Sequence, residues 1–167
     1  MANWLKYVIA FASAIGLMLA FRALVFSIHG VTGNGLTPLF KNGDQLLVNR
    51  CSYGLRIEGN GLLPYSRLLR QPVEKGDIVA FTAPHDSVAG ICIARCAAVP
   101  GDTIVTTEGL LTVPGRKTCA KIDYYWLEAI NGSNPVDSRH LGFIPENNII
   151  GRVVTVLYNR KSLNIGR

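Results

Sequence analysis

Hydroxyl, thiol and amine side chains are the groups in this sequence that could act as a nucleophile or as its base. The candidate nucleophiles are Thr32, Thr37, Ser133, Cys92 and Cys96. A hydroxyl attacks a carbonyl group only when a base, such as a neutral amine with a lowered pKa, lies within hydrogen-bond reach. Lys41 and Lys75 stand in polar turns beside Gly-Asp pairs, where an amine stays solvated. No histidine or lysine is placed to activate the thiols.

Short motifs follow one another in a fixed order along the rest of the chain. They are Pro38 with Gly43-Asp44, Lys75-Gly76-Asp77, Arg95, Pro100-Gly101-Asp102, Asp137-Ser138-Arg139, Gly142 with Pro145, and Gly151-Arg152. In this order and spacing the motifs resemble the conserved boxes of type I signal peptidases. These are membrane-bound serine proteases of the S26 class that use a Ser–Lys dyad.

The resemblance locates the family's catalytic positions on residues that lack the catalytic groups. The nucleophilic serine falls on Gly35 and the general-base lysine falls on Ala94. The serine that assists the oxyanion hole falls on Gly33, and the serine that positions the lysine falls on Pro135. Loss of a nucleophile or base costs a serine protease several orders of magnitude in rate. The sequence therefore predicts a catalytically inactive member of the family.

There are two alternatives to a natural loss of the dyad. A shifted alignment would make Thr32, Thr37 or Ser133 the nucleophile, but Thr37 in that position would still lack a lysine. An engineered knock-out would change only one or two positions. Further differences from the family pattern favour natural divergence, and they lie at Gly33, Leu36, Ala129, Ile130 and Pro135.

The resemblance also implies a function that does not need the dyad. The family binds an extended polypeptide by strand addition, through main-chain hydrogen bonds and shallow apolar pockets. The matching groove candidates are Leu36, Thr37, Pro38 and Ile93, and the matching residues that brace the site are Arg95, Asp137 and Arg139. We expect a protein that binds exported polypeptides or signal peptides as a chaperone, adaptor or assembly factor of surface structures. Residual signal peptidase activity, or regulation of an active paralogue, are the alternatives, and no cofactor is implied.

The N-terminal region predicts a membrane anchor. Residues 7–20 are uncharged, and the apolar run continues past Arg22 to Ile28, which gives the roughly 20 residues that a spanning helix needs. A cleaved signal peptide is the alternative, but the chain stays apolar where small residues would mark a cleavage site. The sequence divides into a cytoplasmic tail (1–6), a single transmembrane anchor (7–28) and an extracytoplasmic domain (29–167). The resemblance places that domain outside the cytoplasmic membrane.

The region after the anchor predicts an antiparallel β-domain resembling that of signal peptidases. Short runs rich in Val and Ile alternate with Gly, Pro and Asp, which is typical of strands and turns. The predicted strands are Gln45–Asn49, Asp77–Thr82, Gly90–Val99, Thr103–Thr107, Leu110–Val113 and Ile149–Tyr158. The segment Tyr53–Pro72, with its glycines and prolines, is expected to be a surface excursion between strands. The fold class is therefore mainly β.

The cysteines and charged residues bear on three roles: disulfide formation, metal binding and nucleic-acid binding. Cys51, Cys92, Cys96 and Cys119 allow either one disulfide or free buried thiols. Cys92 and Cys96 cannot pair on one strand, because four extended residues span about 13 Å. No Cys-x-x-Cys pattern or histidine cluster predicts a metal site. The net charge of +6 is scattered, which argues against a nucleic-acid face and suits a basic face near lipid headgroups.

Overall fold

The protein consists of one long helix followed by a β-domain. The computed structural model describes residues 2–32, 36–59, 63–84, 90–106, 109–118, 120–132 and 136–159. Helix α1 (Ala2–Val25) is apolar on all sides, and its side chains are largely exposed, with Tyr7 and Leu17 each 75% exposed. A helix that is apolar all round, rather than along one stripe, does not pack on a soluble core through one face.

The predicted anchor at 7–28 differs from the structure in two respects. Among the described residues, no helix combines the length and the apolarity that a bilayer crossing requires, so the transmembrane prediction is not confirmed. The helix also ends at Val25, and the next residues form strand β1 (Phe26–Gly30). Phe26 and Ile28 are apolar enough to extend a helical run, but their backbone pairs with a neighbouring strand instead.

One antiparallel sheet of seven strands forms the centre of the domain, in the order β1-β2-β11-β5-β6-β9-β10. Its further strands are β2 (Asp44–Asn49), β5 (Ile78–Thr82), β6 (Ile91–Ala98), β9 (Tyr124–Glu128), β10 (Ile144–Pro145) and β11 (Ile149–Asn159). The prediction of an antiparallel β-domain is confirmed. The predicted strands at Asp77–Thr82, Gly90–Val99 and Ile149–Tyr158 become three adjacent members of this sheet.

Two separate hairpins extend from the sheet. Strands β7 (Thr103–Thr106) and β8 (Gly109–Thr112) form one, as the sequence predicts. Strands β3 (Leu55–Gly59) and β4 (Leu63–Leu68) form the other, inside the segment expected to be an excursion. Arg67 attaches this second hairpin to the domain by donating hydrogen bonds to the carbonyl oxygens of Glu146 and Ile149.

The central sheet carries an apolar core on each face. The first core contains Tyr53, Val73, Val79, Phe81, Ala94, Cys96, Tyr125, Leu127, Ile144 and Ile149. The second core contains Val31, Phe40, Leu46, Val48, Ala80, Ile93 and Val153. Successive residues of β5 and β6 alternate between the two cores because side chains alternate across a strand. Both faces of these strands are therefore buried, which explains their nearly continuous apolar runs.

A short segment after β9 completes the fold. Helix α2 (Ser138–Leu141) forms one turn, and a 3₁₀ helix at Glu146–Asn148 leads into β11. Trp126 of β9 stacks edge to face on Phe143, with ring centroids 5.6 Å apart. This contact holds the α2 segment against the outer strands of the sheet.

Candidate functional site

Ala94, at the predicted general-base position, lies in the middle of β6. It pairs with Val79 of β5 and has no exposed surface. Its methyl group belongs to the first core, among apolar and aromatic side chains such as Phe81 and Leu127. An alanine methyl group cannot accept a proton. The position is therefore filled by apolar packing on an inner strand.

The two thiols next to Ala94 share its face of the strand. Cys96 is buried and Cys92 is half-buried, and both pack in or against the first core. Burial, with Asp77 and Asp102 nearby, raises the pKa of Cys96 to about 12, and burial also raises the pKa of Cys92. A thiol with a raised pKa is a poor nucleophile at neutral pH. Both thiols are free and contribute to packing at the first core.

Two of the four groove candidates, Ile93 and Leu36, lie at the second core on the opposite face of the sheet. Ile93 is buried in the second core, and Leu36 packs against that core together with Ile130. Thr37 follows Leu36, and its hydroxyl oxygen accepts a hydrogen bond from Asn131 Nδ2 at 3.3 Å. Pro38 is exposed, and the Thr37–Pro38 peptide bond is cis. The structure therefore brings Leu36 and Ile93 together and separates them from Ala94 by the thickness of the sheet.

Asp137 is the centre of a polar cluster at the start of α2. Its carboxylate has no exposed surface and caps the helix by accepting from the backbone N–H of Arg139 at 3.1 Å. It also accepts from Arg139 Nε at 2.6 Å and from the backbone N–H of Ala129 at 3.4 Å, and His140 Nδ1 lies 3.2 Å away. Burial alone would raise the pKa of Asp137, but these hydrogen bonds outweigh it and lower that pKa below its usual value.

Arg95 lies apart from this cluster. It is exposed on β6, where it pairs with Ile78 on one side and Glu128 on the other. The ion pairs that the structure describes for Asp137 come from Arg139 and His140. Of the three residues expected to brace the site together, the structure brings together only Asp137 and Arg139.

The remaining motif residues hold turns and strand junctions. Asp77 accepts from the Tyr53 hydroxyl at 2.9 Å and pairs with Arg152 at 3.0 Å, which joins β5 to β11. Lys75 reaches Asp102 at 3.0 Å and joins two of the Gly-Asp turns. Gly151 lies so close to the carbonyl oxygen of Asn49 that a Cβ there would clash with it. These motif residues therefore connect turns and strands in this protein.

Several site residues lie outside the described part of the chain. They are Gly33, Gly35, Ser133, Pro135 and Cys119. The other cysteines, Cys51, Cys92 and Cys96, carry free thiols. Among the described residues, no group of three His, Cys, Asp or Glu side chains is placed to hold a metal ion.

Sequence reasoning missed two contacts near the site. His140 joins the Asp137 carboxylate, and Asn131 holds Thr37. The contact between His140 and Asp137 was predictable from their spacing, because a residue three positions after a helix-capping aspartate lies near it on the first turn of the helix. Asn131 had none, since it is 94 positions from its partner.

Comparison with known proteins gives the family directly. A family model described as "Signal peptidase, peptidase S26" matches residues 3–129, which is well over half of the chain. The chain belongs to the signal peptidase S26 family. It is 25% identical over 170 residues to "Signal peptidase I" of Bacillus caldolyticus, covering 84% of each protein. It is 23% identical to "Probable signal peptidase I-2" of Synechocystis, covering 90% of this chain and 71% of the relative.

A shorter match lies in a eukaryotic member. The chain is 35% identical over 81 residues to "Mitochondrial inner membrane protease subunit 1" of Mus musculus, which covers 48% of each protein. The mainly β, antiparallel domain is consistent with membership of the S26 family. The resemblance read from the motifs is therefore confirmed.

Proposed function

We propose that this chain is a catalytically inactive S26 homologue that binds extended segments of exported polypeptides. It would act as a chaperone, adaptor or assembly factor near the membrane. The observation that carries the proposal is Ala94, a fully buried methyl group at the position where the family resemblance expects the general base. Gly35 at the nucleophile position removes the hydroxyl as well. Without either group, acyl transfer by a dyad has neither attacking atom nor proton acceptor.

The edge of the central sheet supports the binding half of the proposal. Within the described residues, β1 pairs only with β2, so its other backbone edge is open to an added strand. Main-chain hydrogen bonds to such an edge bind extended peptides with little dependence on sequence. The exposed side chains of Phe26 and Ile28 add apolar contact beside that edge.

A cavity of about 510 Å³ lies next to the same strand. Its lining is largely apolar and combines the end of α1 with three strands, through Leu19, Arg22, Phe26, Ile28, Leu47 and Leu157. Pockets that accept alternate side chains of a bound strand give β-addition its specificity. Leu36, half-buried against the second core, contributes a second apolar surface.

The location at a membrane belongs to the same proposal. Apolar side chains surround α1 and remain exposed, including Phe11 at 71% and Met18 at 67%. Exposed apolar area of this extent is stabilised by contact with lipid. Because β1 follows α1 directly, the open sheet edge would lie close to the lipid surface, and we place the β-domain on the extracytoplasmic side.

Peptide binding to the full-length protein in mild detergent tests the proposal. The probe is a labelled signal-peptide segment with small residues at alternate positions, of the Ala-x-Ala type. We expect saturable binding that weakens at least about tenfold in Ile28→Asp, because a carboxylate beside the edge would be desolvated by the bound strand.

Val105→Asp is the matched control. Val105 is 83% exposed on β7, in the separate hairpin, so the same substitution there should leave the affinity unchanged. Equal affinities of the unmodified protein and the Ile28→Asp variant would rule out binding at this edge. Binding that is replaced by cleavage of the peptide would favour the alternative of residual peptidase activity.

A further inference from the structure

A second, chemically different cavity shares no lining residue with the cavity beside β1. It has a volume of about 660 Å³ and is bounded by the segment 70–75, the turn at 99–100 and the 3₁₀ helix at Arg116–Thr118. We call it the basic cleft. Its volume falls within the range of sites that hold small organic ligands, roughly 300–1,000 Å³.

The lining of the basic cleft includes both cations that are paired with carboxylates and cations that are not. Arg70, Lys75, Arg116 and Lys117 line it with Glu74 and Asp123, and two further carboxylates pair with its cations: Asp102 with Lys75, and Glu146 with Arg70. Asp123 is already engaged by Arg70 Nη2 at 2.9 Å and by the backbone N–H of Arg116 at 2.8 Å. In the part of the chain that the structure describes, the side chains of Arg116 and Lys117 form no ion pair. They are the cations available to a ligand.

The base of the cleft is apolar. Val73 and Tyr125 are buried there, and Val99 and Pro100 form one wall. Pro72 is exposed in the same lining, and an anion without an apolar body would leave Pro72, Val99 and Pro100 in contact with water. Sites for small molecules typically combine an apolar lining with a few convergent polar groups that orient the ligand.

A smaller polar cavity adjoins the basic cleft. It has a volume of about 120 Å³, and Arg70 and Arg116 line both cavities. Arg67 also lines it with a side chain only 2% exposed, and its Nε lies 3.9 Å from Glu146 Oε1, beyond hydrogen-bond distance. Within the described residues this buried Nε has no hydrogen-bond partner. A buried donor without a partner costs free energy, which a bound anion or water could recover.

We propose that the basic cleft binds a phosphate monoester attached to an apolar or aromatic group. A phosphate monoester carries about −1.5 to −2 charges at pH 7, which complements the side chains of Arg116 and Lys117. A guanidinium group holds phosphate oxygens in bidentate pairs, and Arg116 stands where the two cavities meet. The apolar body would cover Pro72, Val99 and Pro100. This site is independent of the polypeptide-binding edge, since the two share no residue.

The source of such a ligand is either a soluble organic phosphate or a lipid with a phosphomonoester headgroup. Isothermal titration of the full-length protein in mild detergent distinguishes them with two probes, 1-naphthyl phosphate and dioctanoyl phosphatidic acid. Three controls each lack one feature of the ligand. Inorganic phosphate lacks the apolar body, 1-naphthol lacks the phosphate, and dioctanoyl phosphatidylcholine lacks the monoester. Tighter binding of one probe assigns the source, and the affinity for that probe should fall as the salt concentration rises, because charged contacts are screened.

The variant Arg116→Gln/Lys117→Gln tests the residues. Both side chains are exposed and carry no described ion pair, so the fold should not depend on them. We expect the affinity of this double variant for the bound probe to fall at least about tenfold. Lys121 is exposed and lies outside the cleft, so the control variant Lys121→Gln should bind the probe within about twofold of the unmodified protein. Unchanged affinity in the double variant, or no saturable binding of either probe up to about 1 mM, would overturn the proposal.

Discussion

Replacing Asp137 by alanine should destabilise the protein through the loss of one buried carboxylate. That carboxylate caps α2, and removal of a capping side chain costs about 1 kcal/mol. It also accepts a hydrogen bond from the backbone N–H of Ala129, and a hydrogen bond to a charged group contributes roughly 1.5 kcal/mol. The Arg139 side chain is 47% exposed, so water screens its ion pair, which adds little. The expected total is about 3 kcal/mol.

Urea unfolding of the full-length protein at pH 7 measures this loss. Asp137→Asn should lose only about 1 kcal/mol, because asparagine caps a helix as well as aspartate but carries no charge. Arg95→Ala is the matched control, since Arg95 is exposed and lies outside the cluster, and its cost should stay within about 0.5 kcal/mol. By thermal unfolding, a loss of about 3 kcal/mol corresponds to a Tm lower by roughly 6–12 °C.

The pH dependence gives the loss an independent signature. The folded-state pKa of Asp137 is lowered, so the carboxylate stabilises the protein above its unfolded-state pKa of about 3.9. That contribution is lost as the pH falls through the folded-state pKa. The difference in stability between the unmodified protein and Asp137→Ala should therefore be constant near pH 7 and shrink below about pH 4. A loss below about 1 kcal/mol at pH 7, or an equal loss in Arg95→Ala, would refute this account of the cluster.

Three further outcomes follow from the structure. Cys96, whose pKa is raised to about 12, should resist iodoacetamide at pH 8 in the native protein and react after unfolding. Mass spectrometry follows the labelling, and rapid labelling of the native protein would contradict the burial of this thiol. Ala94→Lys should lower the free energy of unfolding measured in urea by several kcal/mol, because an amine would enter the apolar first core, whereas Arg95→Lys should leave it unchanged. Membrane fractions should retain the protein after carbonate washing, and added protease should digest its β-domain from the extracytoplasmic side; a soluble form starting after Ala20 or Ala23 would indicate a cleaved signal peptide.

Strands with strong local patterns were predictable from sequence. Ile91–Ala98 reads as a long apolar run because most of its residues are buried or half-buried, and Ile149–Asn159 was predictable from its Val and Ile content although its second half is largely exposed. Strand β1 was missed because Phe26 and Ile28 continue the apolar run of α1, and only pairing with β2 separates strand from helix. Strands β3 and β4 were missed because their glycines and Pro64 obscure the pattern, while the stabilising contacts of Arg67 lie about 80 positions away.

The candidate site was predictable where the motifs act locally. Asp137 and Arg139 are two residues apart, and capping geometry alone brings them together. Arg95 was placed with them by resemblance, but on β6 it points away from the face that carries Ala94, since neighbouring residues of a strand face opposite sides. The side chains that pack around Ala94 come from strands β5, β9 and β11. The apolar environment of this position therefore could not be predicted from the neighbouring sequence.

Incubation of the full-length protein with a precursor that carries a signal peptide tests the central claim most directly. An active signal peptidase I in the same detergent serves as the positive control, and mass spectrometry follows both precursor and mature protein. With Gly35 and Ala94 at the dyad positions, we expect the precursor to stay intact while it binds this chain. Release of mature protein by this chain, abolished in Thr37→Ala or Cys96→Ala, would contradict the claim that it is an inactive homologue.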